Sequence, residues 1–99
     1  MFNIDKTVEN GKAIIKPEGR LDTVTAPELE SALKEILNQT NDLTFDFVNL
    51  NYISSAGLRV LLSAQKTMNS QGKMTVKNVN ETIMEIFEVT GFSDILTII

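Results

Sequence analysis

The 99-residue chain has no cysteine and no histidine. Those two absences exclude disulfides, thiolate catalysis and most structural zinc sites, and they remove imidazole both as a ligand and as the usual general base. No metal or other cofactor is expected. Basic side chains number nine against 13 acidic ones, for a formal charge of -4, and no two basic residues are adjacent. Nucleic acid and anionic membranes are therefore not expected as main partners. No apolar run approaches the roughly 20 residues that span a bilayer. Met1-Phe2-Asn3-Ile4-Asp5 also lacks the basic and apolar regions of a secretion signal. The chain is expected in the cytoplasm.

Repeats, low-complexity tracts and linkers are lacking as well. What remains reads as a single domain over residues 1–99, with 42% hydrophobic and 22% charged residues. A domain of this size buries about two-thirds of its unfolded surface, which leaves little core to surrender to an internal active site. Function is expected on the surface.

Turn-forming residues divide the chain into alternating elements. Phe2 to Val8 and Ala13 to Pro17 are β-prone, and Asn10-Gly11 between them predicts a type I′ hairpin turn, which needs positive φ at both central positions. Gly19-Arg20-Leu21-Asp22 is expected to leave the sheet. Thr25-Ala26-Pro27-Glu28 has the form of a capping box with proline in the first turn. Leu29, Ala32, Leu33, Ile36 and Leu37 then follow at helical spacing.

Leu43 to Val48 alternates large apolar residues with smaller or polar ones and predicts a central strand, with Asn49 to Ser54 as the loop leaving it. Leu58, Leu61, Leu62, Gln65 and Met68 mark a second helix that ends at Gln71-Gly72, and Lys73 to Lys77 is the next strand. Asn80 is placed to cap a third helix with Ile83, Ile86 and Phe87 inward, and Gly91 to end it with Phe92 against Phe87. Ile95 to Ile99 forms a strand or a plug of the core. The order ββαβαβα predicts an α/β fold. Its sheet should be mixed and mostly parallel with helical crossovers, and its first strand antiparallel at or near an edge.

In open α/β sheets, binding groups collect beyond the carboxyl ends of the parallel strands. Segments 19–22, 48–57 and 77–80 are expected there. The middle one contains Asn51-Tyr52-Ile53-Ser54-Ser55-Ala56-Gly57-Leu58-Arg59, with two hydroxyls at a helix start and a glycine just inside.

Along these residues the chain resembles the STAS domain family, in its anti-sigma-factor antagonist type; the family also includes cytoplasmic tails of sulphate transporters. The resemblance runs nearly end to end. It is carried by Gly19-Arg20-Leu21-Asp22, by Asp46 late in the central strand, by Tyr52 to Val60 and by Gly91-Phe92. It implies a STAS-like α/β domain. In family members that act as partner switches, the hydroxyl residue two before the signature glycine is phosphorylated, and that position is Ser55 here. The preceding residue, often aspartate in the family, is Ser54, a competing acceptor and the runner-up. The usual hydroxyl after it is Ala56.

The resemblance further implies a non-enzymatic anti-sigma-factor antagonist. Unphosphorylated, the chain would bind an anti-sigma factor with serine-kinase activity and release a sigma factor; a serine phosphatase would restore the modified form. ATP and Mg²⁺ would belong to the kinase. The alternative is a STAS scaffold or regulatory subunit in a larger sensory or transport assembly. Asp22, Asp46, Ser54, Ser55, Gly57 and Arg59 are the expected partner-binding residues. A phosphate at a helix N-terminus adds about -1.5 to -2 charges and three acceptor oxygens that free N–H groups can hold. Docking should fail while the fold survives.

Each residue also has an ordinary structural role open to it. Ser54 or Ser55 can cap the helix, Asp22 a turn, and Asp46 the amides of its loop. Arg59 can lie on a solvated face or pair with Asp46 or a partner carboxylate. A helix glycine costs about 1 kcal/mol relative to alanine, so Gly57 implies a close approach, expected to be a partner or kinase. A serine hydrolase is disfavoured, since there is no histidine base and Ser54-Ser55-Ala56-Gly57 is not a Gly-x-Ser-x-Gly elbow.

Overall fold

Asn10 and Gly11 take φ of 52° and 79° and fold strand β1 (Asn3–Glu9) back onto β2 (Lys12–Leu21), as the Asn-Gly turn predicts. The computed structural model describes residues 2–99. Beyond the hairpin come α1 (Ala26–Ile36), β3 (Asp42–Asp46), β4 (Leu50–Ile53), α2 (Ser55–Asn69), β5 (Lys73–Lys77) and α3 (Glu81–Thr90). The sheet order is β1-β2-β3-β5, antiparallel only at the edge strand β1. Gly91 ends α3 in the left-handed conformation, Phe92 packs on the core, and the tail adds a parallel bridge from Ile98 to Val76.

Two sequence expectations need correction. Gly19 does not release the chain from the sheet. At φ 103° it sits beside a register shift that re-aims β2, so that Lys12 to Ile15 pair with β3 while Gly19 to Leu21 pair with a different strand. That strand is β4, four residues inside the segment expected to be a loop. The observed order is therefore ββαββαβα. A bulge serves this purpose by bending one strand without ending its pairing.

Ala13, Ile15, Leu43, Phe45, Met74 and Val76 point to one face of the sheet and are buried in a single cluster with residues of all three helices. Each large side chain fully buried there contributes about 1.5–3 kcal/mol. The intervening residues point the other way and form rungs across four strands. One rung runs Glu9–Lys12–Asp42–Lys73, with charges alternating in sign, and the next runs Thr7–Ile14–Thr44–Thr75. Lys73 Nζ lies 3.8 Å from Asp42, and the Thr44 and Thr75 hydroxyls are 3.3 Å apart. A slip of one residue would expose the buried face and break every rung, so both faces favour the same register.

Candidate functional site

Ser54 occupies the N-cap of α2 in an extended conformation. Its N–H donates to the Leu21 carbonyl (2.8 Å), which carries the β2–β4 pairing one residue past the strand, and its carbonyl accepts the Leu58 N–H (2.9 Å). Its Oγ is enclosed and has no hydrogen-bond partner among the described residues. Ser55 is the first helical residue and is exposed. Neither hydroxyl caps the helix, contrary to the ordinary role open to both. The N–H groups of Ser55, Ala56 and Gly57 precede the first intrahelical bond and form the donor end of α2.

Gly57 is buried. A Cβ on it would lie 2.7 Å from Leu21 Cγ and 2.8 Å from Ile53 Cγ1. The close approach expected from a partner is thus made by the ends of the chain's own β2 and β4. Gly57 serves the site by letting α2 sit down on those two strands. Arg59, one turn further on, is exposed and makes no ion pair among the described residues, with Asp46 or any other group. It borders a groove of about 310 Å³ between α1 and α2, with Thr23, Ala26 and Glu30 on the opposite wall.

The capping box expected at Thr25 is not formed. Thr25 turns its hydroxyl back to donate to the Arg20 carbonyl (2.7 Å) and to accept the Asp22 N–H (2.8 Å). Asp22 orders the turn that leads into α1, accepting the N–H groups of Val24 (3.0 Å) and Thr25 (3.1 Å) on Oδ1. The bond from Thr25, aided by that from Val24 and by the charge of Arg20, holds the Asp22 carboxyl below its ordinary pKa against a smaller effect of burial.

Asp46 is 8% exposed. Its Oδ1 accepts the Val48 N–H (3.1 Å) and the Asn78 side-chain amide (2.9 Å). Burial pushes its carboxyl up, but these two bonds and the charges of Lys77 and Lys16 together hold it below the ordinary value. Both aspartates thus carry out the loop-ordering roles open to them. The β2–β4 pairing brings the Asp22 turn beside Ser54 and Ser55. No hydrogen bond or ion pair among the described residues links Asp46 to them.

Three side chains that order these strand ends were not singled out for it by the sequence. Asn78 has φ 58°, which asparagine tolerates, and reaches Asp46 from there. Asn80 accepts the Ile83 N–H (2.8 Å), the expected cap, and also donates to the Leu50 carbonyl (3.0 Å), tying α3 to β4. Arg20 stacks on Tyr52, 4.4 Å from the ring centroid. That contact depends on the pairing of β2 with β4, which places the two residues side by side and has no local signal. Val24 and Val48, 80% and 55% exposed, follow the ends of β2 and β3 and offer apolar surface there.

The STAS domain family model matches residues 3–99. The chain belongs to the STAS domain family. Its curated relatives include the anti-sigma-B factor antagonist of Staphylococcus aureus, 31% identical over 97 residues that cover 96% of this chain and 90% of that protein. This STAS chain also matches an anti-sigma factor antagonist from Mycobacterium paratuberculosis with a TM-score of 0.89, at 19% identity over 99% of this chain and 85% of that one. The Bacillus cell fate determinant SpoIIAA, solved in a phosphorylated form, matches with a TM-score of 0.75 at 17% identity over 100% and 91%. At such identities the solved structures establish the shared fold. Among the described residues of this STAS domain no helix is long and apolar enough to cross a membrane.

Proposed function

We propose that the chain is an anti-sigma factor antagonist switched off by phosphorylation of Ser55. The observation that carries this reading is the contrast at the start of α2: Ser55 exposed, Ser54 with its hydroxyl enclosed. A kinase can reach the first without opening the fold and cannot reach the second. The name borne by the curated relatives supports the antagonist role, and the phosphorylated form of SpoIIAA supports a phosphate on this fold.

In the proposed cycle the unmodified chain docks on a cytoplasmic anti-sigma factor through the exposed surface around Ser55, and a sigma factor is released. The kinase activity of that partner returns the system. The Ser55 Oγ attacks the γ-phosphorus of ATP, the bond to ADP breaks, and the hydroxyl proton passes to a base of the kinase. A serine phosphatase reverses this by hydrolysing the ester to serine and inorganic phosphate. The donor end of α2 accommodates the dianion with little backbone movement. In a docked interface the same dianion would be desolvated without a partner, at about 3–5 kcal/mol.

The test is to incubate the protein with ATP and each anti-sigma kinase encoded in the same genome and to map the product by mass spectrometry. Phosphate on Ser55 is expected. Phosphate on Ser54 alone, or none with any kinase, contradicts the reading.

A further inference from the structure

We infer that Arg59 reads the phosphate: on modification its guanidinium closes onto phosphoserine 55 and is withdrawn from a carboxylate of the partner. This rests on the proposed role of Ser55 and gives the modification a second effect. It adds a dianion and also removes a cation from the docking surface.

Ser55 and Arg59 are four residues apart on α2, so their side chains are neighbours on one face of the helix. The anion lies N-terminal to the cation, the favoured order for such a pair. Both residues are exposed, and the segment between them, Ala56-Gly57-Leu58, carries no charge. The first turn of α2 has no acidic residue to compete.

Arg59 is also unengaged among the described residues, unlike three of the chain's other cations. Arg20 is stacked on Tyr52, Lys6 is 2.7 Å from Glu35, and Lys73 faces Asp42. Glu30, across the groove, makes no ion pair with Arg59 among the described residues. A planar fork of N–H donors beside three phosphate oxygens suits bidentate capture. In the unmodified protein the same fork stands at the rim of the α1–α2 groove, whose Ala26, Ala56 and Val60 supply apolar surface. A carboxylate carried by a segment of the anti-sigma factor fits that position by charge.

Phosphoserine installed at position 55 by genetic-code expansion tests the capture without a kinase, so failure of the kinase reading is scored separately. The readout is the ³¹P-monitored midpoint of the phosphate's second ionisation, in the wild type and in Arg59→Gln. The other charged groups around the site, Arg20 and Asp22 at the end of β2 and Glu30 of α1, are the same in both proteins. The wild-type midpoint is expected about half a pH unit lower, roughly a threefold change in ionisation constant. Arg59→Lys should restore only part of that shift, since its point charge lacks the planar fork. Circular dichroism should be unchanged, since Arg59 is exposed. Equal midpoints in the wild type and Arg59→Gln overturn the capture. Unmodified Arg59→Gln should bind the anti-sigma factor several-fold more weakly, and equal affinity overturns the withdrawal from the partner.

Discussion

Gly57 of α2 and Leu21 of β2 pack so closely that a Cβ on the glycine would lie 2.7 Å from Leu21 Cγ. Glycine to alanine inside a helix ordinarily stabilises by up to about 1 kcal/mol. Here overpacking, typically about 1–3 kcal/mol, opposes that gain. Gly57→Ala should therefore destabilise the domain by about 1–2 kcal/mol, read as a lower urea midpoint. Leu21→Ala alone removes a fully buried side chain and should cost about 2–5 kcal/mol, and the double variant should lose less than the sum of the two, because the changes share one contact. Additive effects would show that the glycine answers to something other than Leu21.

The two serines should respond in opposite ways. The Ser54 Oγ is enclosed without a partner, a state that costs about 1–3 kcal/mol when a buried polar group is involved. Ser54→Ala is expected to leave stability equal or higher and phosphate incorporation unchanged, while Ser55→Ala is expected to abolish incorporation with stability unchanged. Chemical denaturation and radiolabel transfer from ATP check the pair. Lost incorporation in Ser54→Ala alone would reverse the assignment.

Asn80 makes two separable contributions, a cap on α3 and a bond to the Leu50 carbonyl of β4. Asn80→Ala loses both and should cost about 2–3 kcal/mol. Asn80→Ser keeps a capping oxygen but cannot reach Leu50, and should lose about half as much. Hydrogen exchange should also quicken at Leu50 to Tyr52 in both variants. Unchanged exchange there would mean that Asn80 holds the helix alone.

The pH dependence follows from Asp46. Its carboxyl titrates lower in the folded protein than in the unfolded chain. Its stabilising contribution is therefore complete above the unfolded value near 3.9 and is lost as pH falls through the lower folded value. Asp46→Asn keeps an oxygen for Val48 and Asn78 but removes the charge. Thermal melts should show a smaller drop in stability between about pH 5 and pH 2 for this variant than for the wild type. Parallel curves would contradict the linkage.

Most of the architecture is legible in the sequence because it is written locally. Asn10-Gly11 sets the hairpin, Leu29 to Leu37 sets the face of α1, and Asn80 and Gly91 bound α3. The features that depart from the sequence expectations depend on contacts distant in sequence. Four residues, Leu50 to Ile53, are too few to declare a strand, and their partner is the far end of β2 beyond a glycine that looks like an exit. The same pairing decides the site. It encloses the Ser54 hydroxyl and sets Leu21 and Ile53 against Gly57, and no local pattern distinguishes either from an exposed signature residue. Thr25 departs from its capping-box spacing for a related reason: its hydroxyl is drawn back to the Arg20 carbonyl at the end of β2, and its backbone carbonyl accepts the Glu28 N–H instead.

The most direct test of the proposed switch is the affinity of the cognate anti-sigma factor for the unmodified chain and for the chain phosphorylated at Ser55. It should be measured by calorimetry, with amide spectra recorded on both forms. The switch predicts at least about 100-fold weaker binding after modification, near 2.7 kcal/mol, with spectral changes confined to the start of α2 and the loops beside it. Equal affinities, or a loss accompanied by spectral changes throughout the sheet, would contradict it.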